Sequence, residues 1–508
     1  MSITTIICAL PEIRHQLIQL IRDEFSVSQQ IAEKVYDRRL GQHFQRFQPD
    51  IHFVIEYPYV DRVYRDSYYS YFSTKMGAYK KDCIKLSFFC GEVRADQFRD
   101  ESQILDLRNR YLGFMILRPT IPNVIGRSVI SPSALLKHDF LCVMSKFQST
   151  VCSVKFEVTG FPHSSQDAET ITCAETSIWA IMEYFASKYP EYKPALPSVI
   201  INALKSRSNF RQIPSEGLNV DQMGYALREF GFGTKIYSKD EFGDGFKNLI
   251  STYVESGLPL IATVSNTHNG GEVGHAVLLV GHNNTTDVNI DKLQVRSEQD
   301  VKLNALLKSR NIQIIDNDDI ERDFVIVDDN RPVYQLAPLD QPVQHYQNPV
   351  WANCEIVHFL VPLYPKIYLD ASLAKKYIKT LLLENQFNIP MGTEIFIRIF
   401  LTSSRSYKDY LSQDRSFHPD FRDFILDAPM SKFVWVGEIS SRKLIKQKKA
   451  KGVIIIDATE PNLTKYDALI VSAYEDYFFY CDDVSNELIK NSLPLGEFNI
   501  YTNNLKGF

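Results

Sequence analysis

The chain has 508 residues, a mass of 58.5 kDa and a formal charge of −5, from 56 Lys and Arg against 61 Asp and Glu. Single domains usually run to ~100–200 residues, so two to four domains are expected. The 44% hydrophobic and 23% charged fractions exclude a largely disordered chain, and the acidic balance excludes a global basic field for nucleic acid or anionic lipid.

The cysteines are scattered and no pair forms C-x-x-C. Neither a disulfide framework nor a thiolate zinc site has the spacing it needs, and a reducing compartment fits. The stretch MSITTIICALPEIRHQLIQLIRDEF makes a poor signal peptide, because it lacks a basic start and is broken by Pro11, Glu12 and Arg14. No run of ~18 uncharged apolar residues occurs, so no membrane span is expected. These features together read as a soluble, cytoplasmic protein.

Residues 1–150 read as a mixed α/β domain. Leu17, Ile18, Leu20, Ile21 and Phe25 recur at helical spacing, and the runs 51–60 and 83–93 alternate like strands. Between them Tyr64, Tyr68, Tyr69, Tyr71 and Tyr79 interleave with Arg62, Arg65 and Lys75. This is either a base-stacking platform or an amphipathic segment whose tyrosines cover the edge of the core. The second reading is preferred in a Tyr-rich, acidic chain, and a nucleic-acid partner is not expected. Residues 111–130 read as two strands around Pro119, Pro122 and Gly126. At the other end, 366–384 reads as a strand end and a helix. The runs 394–404, 433–441, 452–460 and 467–482 then complete a C-terminal α/β domain, 366–508. Asp457, after a Val and Ile run, reads as a turn or cap residue.

Residues 151–365 carry the chemistry. Ile178, Ile181, Met182 and Phe185 form an apolar stripe before Pro190, which places Cys173 at the start of a helix of some twelve residues. Unpaired N–H groups and the macrodipole at a helix start stabilise a thiolate, the nucleophilic form. A base is required. Two strand-like runs, LPLIATVS and HAVLLVGH, flank a Gly-rich turn, and His275 opens the second directly after Gly274. His268 falls in the turn and reads as solvated. His282 lies ~23 Å along the strand and on its other face. His358 sits in an apolar run and reads as a core residue. For the residue that orients the imidazole, the strand 324–327 ends in Asp328, Asp329 and Asn330; Asp328 is the first choice and the other two remain open. Gln166 and the Cys173 backbone N–H are candidate oxyanion donors.

In this order the residues resemble the papain-like cysteine peptidases, and most closely their bacterial C39-like branch. The matching stretches are QDAETITCAETS, GHAVLLVGH and FVIVDDN, supported by EGLNVDQMGYALREFGF, and they span roughly residues 160–340. The resemblance implies an α+β chain with a central papain-like domain. It implies Cys173 as nucleophile, His275 as general base and acid, Asp328 as orienter and Gln166 as oxyanion donor, with no metal or organic cofactor.

The departures are Ala174-Glu175 after the nucleophile, where Gly-Gly or Gly-Pro is usual in the family it resembles, and the 53 residues from His275 to Asp328, longer than the family pattern. Glu175 opposes ionisation of the thiol unless it points away or is paired. The surplus, 284–322, reads as an insertion near the cleft that covers it or binds a partner. The expected function is hydrolysis of a peptide or isopeptide bond in a protein or peptide substrate. Acyl transfer on the same triad, or a catalytically idle interaction module, are the alternatives.

Overall fold

The computed structural model describes residues 3–507 apart from 78, 206–211, 268–272, 297, 299, 384–386, 388, 462, 465 and 483–486. The chain is α+β, with three seven-stranded sheets and helices packed on and between them. The first sheet is antiparallel throughout. Its strands run in the order Thr4–Ala9, Ile51–Tyr59, Cys83–Cys90, Tyr111–Leu117, Ile125–Ile130, Val154–His163, Ser145–Val151. A boundary at 150/151 therefore falls inside a hairpin of this sheet, which pairs Val151 with Val154. Gly126, expected in a turn, lies within a strand.

The second sheet, also antiparallel, has the order Gln335–Pro338, Asp323–Val327, Gly274–Asn283, Leu260–Ser265, Glu355–Val361, Lys235–Ser238, with Phe140–Cys142 paired to the Gly274–Asn283 strand. The third sheet begins with Gln313–Asp316, parallel to Glu394–Ser403, and continues antiparallel through Phe433–Ser440, Gly452–Asp457, Leu469–Tyr474, Tyr477–Cys481 and Leu488–Ser492. The segment 284–322, expected near the cleft, thus contributes an edge strand to the third sheet. Its helix Val301–Arg310 packs on the helix Ala371–Leu383.

The second sheet is covered on both faces. Strand alternation turns Ala276, Leu278 and Val280 toward a core shared with Ile178, Trp179 and Ile181 and with the first sheet. Val277 and Leu279 face the opposite way, into a core shared with Ile397, Trp435 and Ile454 of the third sheet. A buried charge cluster ties these layers together. Glu255 accepts from His282 at 3.0 Å, Arg322 at 3.2 Å and Arg398 Nε at 2.8 Å, and Arg398 reaches Glu438 at 2.7 Å. Burial opposes ionisation of Glu255, but Arg398, His282 and Arg322 hold its carboxyl well below the usual range.

The Tyr-rich segment forms the helix Arg62–Ser70 with Tyr64 buried, and Arg62, Arg65 and Lys75 each pair with a carboxylate. Asp457 caps a turn through the backbone N–H and hydroxyl of Thr459. No described helix is long and apolar enough to cross a membrane.

Candidate active site

Cys173 is the first residue of the helix Cys173–Lys188, a turn longer than the sequence pattern indicated and buried from Ala174 to Phe185. Asp167 shapes the approach. Its Oδ1 accepts from the backbone N–H groups of Glu169, Thr170 and Ile171 at 2.7–3.0 Å, which fixes the loop that delivers Cys173. Glu175 is not a free charge beside the thiol. It is 1% exposed, and its carboxylate accepts from the Thr172 backbone N–H at 3.1 Å, from the Thr172 hydroxyl and from the Ser215 hydroxyl. The pattern Thr172-x-x-Glu175 is a capping box, which occupies helix-start donors and points the carboxylate at them.

His275 enters from the second sheet. Its strand pairs with Leu260–Ser265 on one side and Asp323–Val327 on the other, where Leu278 lies opposite Val327. That pairing brings the turn after Val327 alongside His275. The ring Nε2 lies 3.1 Å from Asp328 Oδ1 and 3.6 Å from Asp329 Oδ1. The backbone N–H of Ala276 donates to Cys173 Sγ at 3.4 Å. Burial disfavours a charged imidazole here, yet the charge of Asp328 and the hydrogen bond to it, the neighbouring Cys173 thiol and the charge of Asp329 outweigh it. The net effect raises the His275 pKa well above its ordinary value.

The two aspartates are shifted in opposite directions. Asp328 is wholly buried; burial pushes its pKa up, but His275 and His345 overcome this and depress it. Both oxygens are engaged. Oδ1 accepts from His275, from the Asn330 N–H at 2.9 Å and from Tyr346 Oη at 3.1 Å, and Oδ2 from His345 Nε2 at 2.9 Å. Asp329 has neither oxygen hydrogen-bonded, and burial raises its pKa with help from Asp328 against the opposing charge of His275.

His275, Asp328 and Asp329 present ligand atoms within 4.8 Å of one another, a spacing that can hold a cation. Asp328 Oδ1 already accepts from three donors and Oδ2 from one, so its acceptor capacity is largely taken up. The arrangement suits an imidazole oriented by a carboxylate better than a metal centre.

Gln166 is tied to the turn after Asp328: its Nε2 donates to Asn330 Oδ1 at 2.9 Å. Asn330 therefore links Gln166 to Asp328. Of the other histidines, His282 pairs with Glu255, His358 is half-buried rather than in the core, and His268 lies outside the described residues. The cover over His275 comes from residues 345–351. The Trp351 ring meets the imidazole edge-on at 5.5 Å and stacks on Tyr346 at 4.0 Å.

His345, Tyr346, Trp351 and His163 were not singled out from sequence; they sit in or beside loops, where periodicity carries no information. His163 Nε2 lies 3.2 and 3.1 Å from the Asp328 and Arg331 carbonyls and so pins the turn. A large cavity of about 1700 Å³ lies apart from this site, bounded by residues 239–251 and by charged groups including Asp318 and Lys375. No protein-family model matches the chain, and no curated protein matches it.

Proposed function

We propose that this protein is a papain-like cysteine peptidase, closest in kind to the bacterial C39-like branch, that hydrolyses a peptide or isopeptide bond in a protein or peptide substrate within the cytoplasm. The observation that carries the reading is the relay itself. A thiol at a helix start, held by the backbone N–H of Ala276, sits beside an imidazole whose Nε2 rests on a buried, ionised carboxylate 3.1 Å away. His275 takes the thiol proton, the Cys173 sulfur attacks the carbonyl, and the imidazolium protonates the leaving amine. Water then cleaves the acyl-enzyme with His275 as base. The Cys173 backbone N–H, and Gln166 if it turns from Asn330, supply oxyanion donors. Replacing water by an amine on the same acyl-enzyme gives acyl transfer.

The catalytically idle reading is favoured by one feature: His275 is only 6% exposed beneath Trp351. Alkylation of the full chain at pH 6, followed by intact mass and peptide mapping, separates the readings. A peptidase shows fast labelling of Cys173 that falls at least tenfold in His275→Ala. Labelling of Cys173 that is slow at pH 6 and indifferent to His275→Ala overturns the proposal.

A further inference from the structure

The wall of the site beyond Tyr346 and Trp351 carries a separate chemical signature. A cavity of about 290 Å³ lies there, lined by Arg38, Arg39 and Gln42 on one side and by Asn330, Arg331, Tyr346 and Trp351 on the other. Three arginines line it, and no carboxylate does among the described residues. The nearest acid in sequence, Asp37, is engaged by Arg14 at 3.2 Å. Asp328 is consumed by its own donors, and Asp329 is held toward the neutral form by burial.

Arg38 and Arg39 have no ion pair among the described residues. The Arg331 guanidinium lies 4.1 Å over the Tyr346 ring, and its Nε is buried with no hydrogen-bond partner. The buried, unpartnered Arg331 Nε is costly unless an acceptor completes it, and the planar forks of all three arginines match carboxylate and phosphoryl oxygens.

The placement is built into the fold. Residues Tyr36–Leu40 form a π-helical turn, a widened geometry common at functional sites, and it carries both arginines. The adjoining residue Arg46 donates to the Val333 and Tyr334 carbonyls at 2.7 Å each, which clamps this helical layer onto the loop that follows Asp328. The chain as a whole is acidic, at −5, so the patch is not a by-product of basic composition.

Resting on the cysteine-peptidase reading, we infer that this cavity is a specificity subsite for an anionic oxygen group, carboxylate or phosphoryl, on the peptide segment beside the bond cut. Tyr346 links subsite and triad: its hydroxyl is on Asp328 Oδ1 at 3.1 Å and its ring carries Arg331 and Trp351.

The test compares two small alkylating agents that differ in charge, iodoacetate and iodoacetamide, on the full chain at constant ionic strength. Both displace iodide from carbon to form a thioether at Cys173, and the ratio of their rates cancels any change in the thiol itself. The ratio of iodoacetate to iodoacetamide should fall at least fivefold in the Arg38→Gln, Arg39→Gln double variant, with thermal melting as the fold control. Arg38→Gln alone, at an exposed position, should shift it in the same direction. Succinate or inorganic phosphate should slow labelling of the unaltered protein and not of the double variant, and the better protector identifies the group. An unchanged ratio with protection by neither anion overturns the subsite while leaving a His275-dependent thiol in place. A Cys173 indifferent to His275→Ala instead removes the peptidase reading, and the subsite with it.

Discussion

Asp328 is shared by two imidazoles: His275 Nε2 meets one carboxylate oxygen at 3.1 Å and His345 Nε2 meets the other at 2.9 Å. The second imidazole completes the coordination of the carboxylate by neutral or cationic donors, so that Asp328 can stay ionised at the centre of a dry site.

Asp328→Asn should therefore reduce His275-dependent reaction of Cys173 by about 10²–10⁴-fold, because an amide reverses the hydrogen-bond polarity toward the ring. Asp329→Asn, lying farther off and already disposed to the neutral form, should change it less than about threefold. Stopped-flow alkylation of both variants measures this, and a larger effect at Asp329 would reassign the orienting role.

The same pair predicts opposite pH effects on stability. Asp328 is depressed in the folded protein, so its contribution is present above ~4, the unfolded carboxylate value, and is lost as pH falls through its depressed folded value. Asp329 is raised, so its contribution is full below ~4 and is lost as pH climbs through its folded value. Asp329→Asn should then raise the melting temperature at pH 8 relative to the unaltered protein and have little effect near pH 4. Thermal melts across that range measure the difference.

Trp351→Ala should open the site. It removes the ring that covers His275 and a stack on Tyr346, a pair worth about 0.5–1.5 kcal/mol beyond its buried area. Labelling by a bulky maleimide should accelerate severalfold while labelling by iodoacetamide changes less. Equal changes for both reagents would show that Trp351 does not gate access.

Glu255→Gln should cost about 3–5 kcal/mol, because it leaves Arg398 and Arg322 buried with one charge fewer to offset them. Urea unfolding monitored by the buried Trp179 and Trp435 measures it, with the two reporters losing structure together.

Much of this site was legible because its members sit where elements begin and end. Cys173 opens a helix, His275 opens a strand and Asp328 closes one, so hydrophobic periodicity on one side of each located them. Glu175 shows where a local rule was available and unused: Thr172 three residues earlier makes it a cap rather than a stray charge. His345 lies in a turn and Trp351 in the single helical turn Pro349–Ala352, and only the folded path brings them over His275. The sheet that 284–322 joins is not legible for a related reason. A short strand such as Gln313–Asp316 carries no mark of which sheet it joins, and its partner, Glu394–Ser403, is ~80 residues away.

The two-sided burial of the second sheet has a consequence for how the molecule can be divided. Cutting the chain to residues 151–365 would strip Leu17, Phe53 and Met115 from one face and Ile397, Trp435 and Ile454 from the other. It would also remove Arg398 from Glu255 and Arg46 from the loop after Asp328. The candidate site is thus the filling between two outer layers, not a module carried by them. The chemistry of one sulfur atom at Cys173 consequently serves as a gauge of whether all three layers have come together.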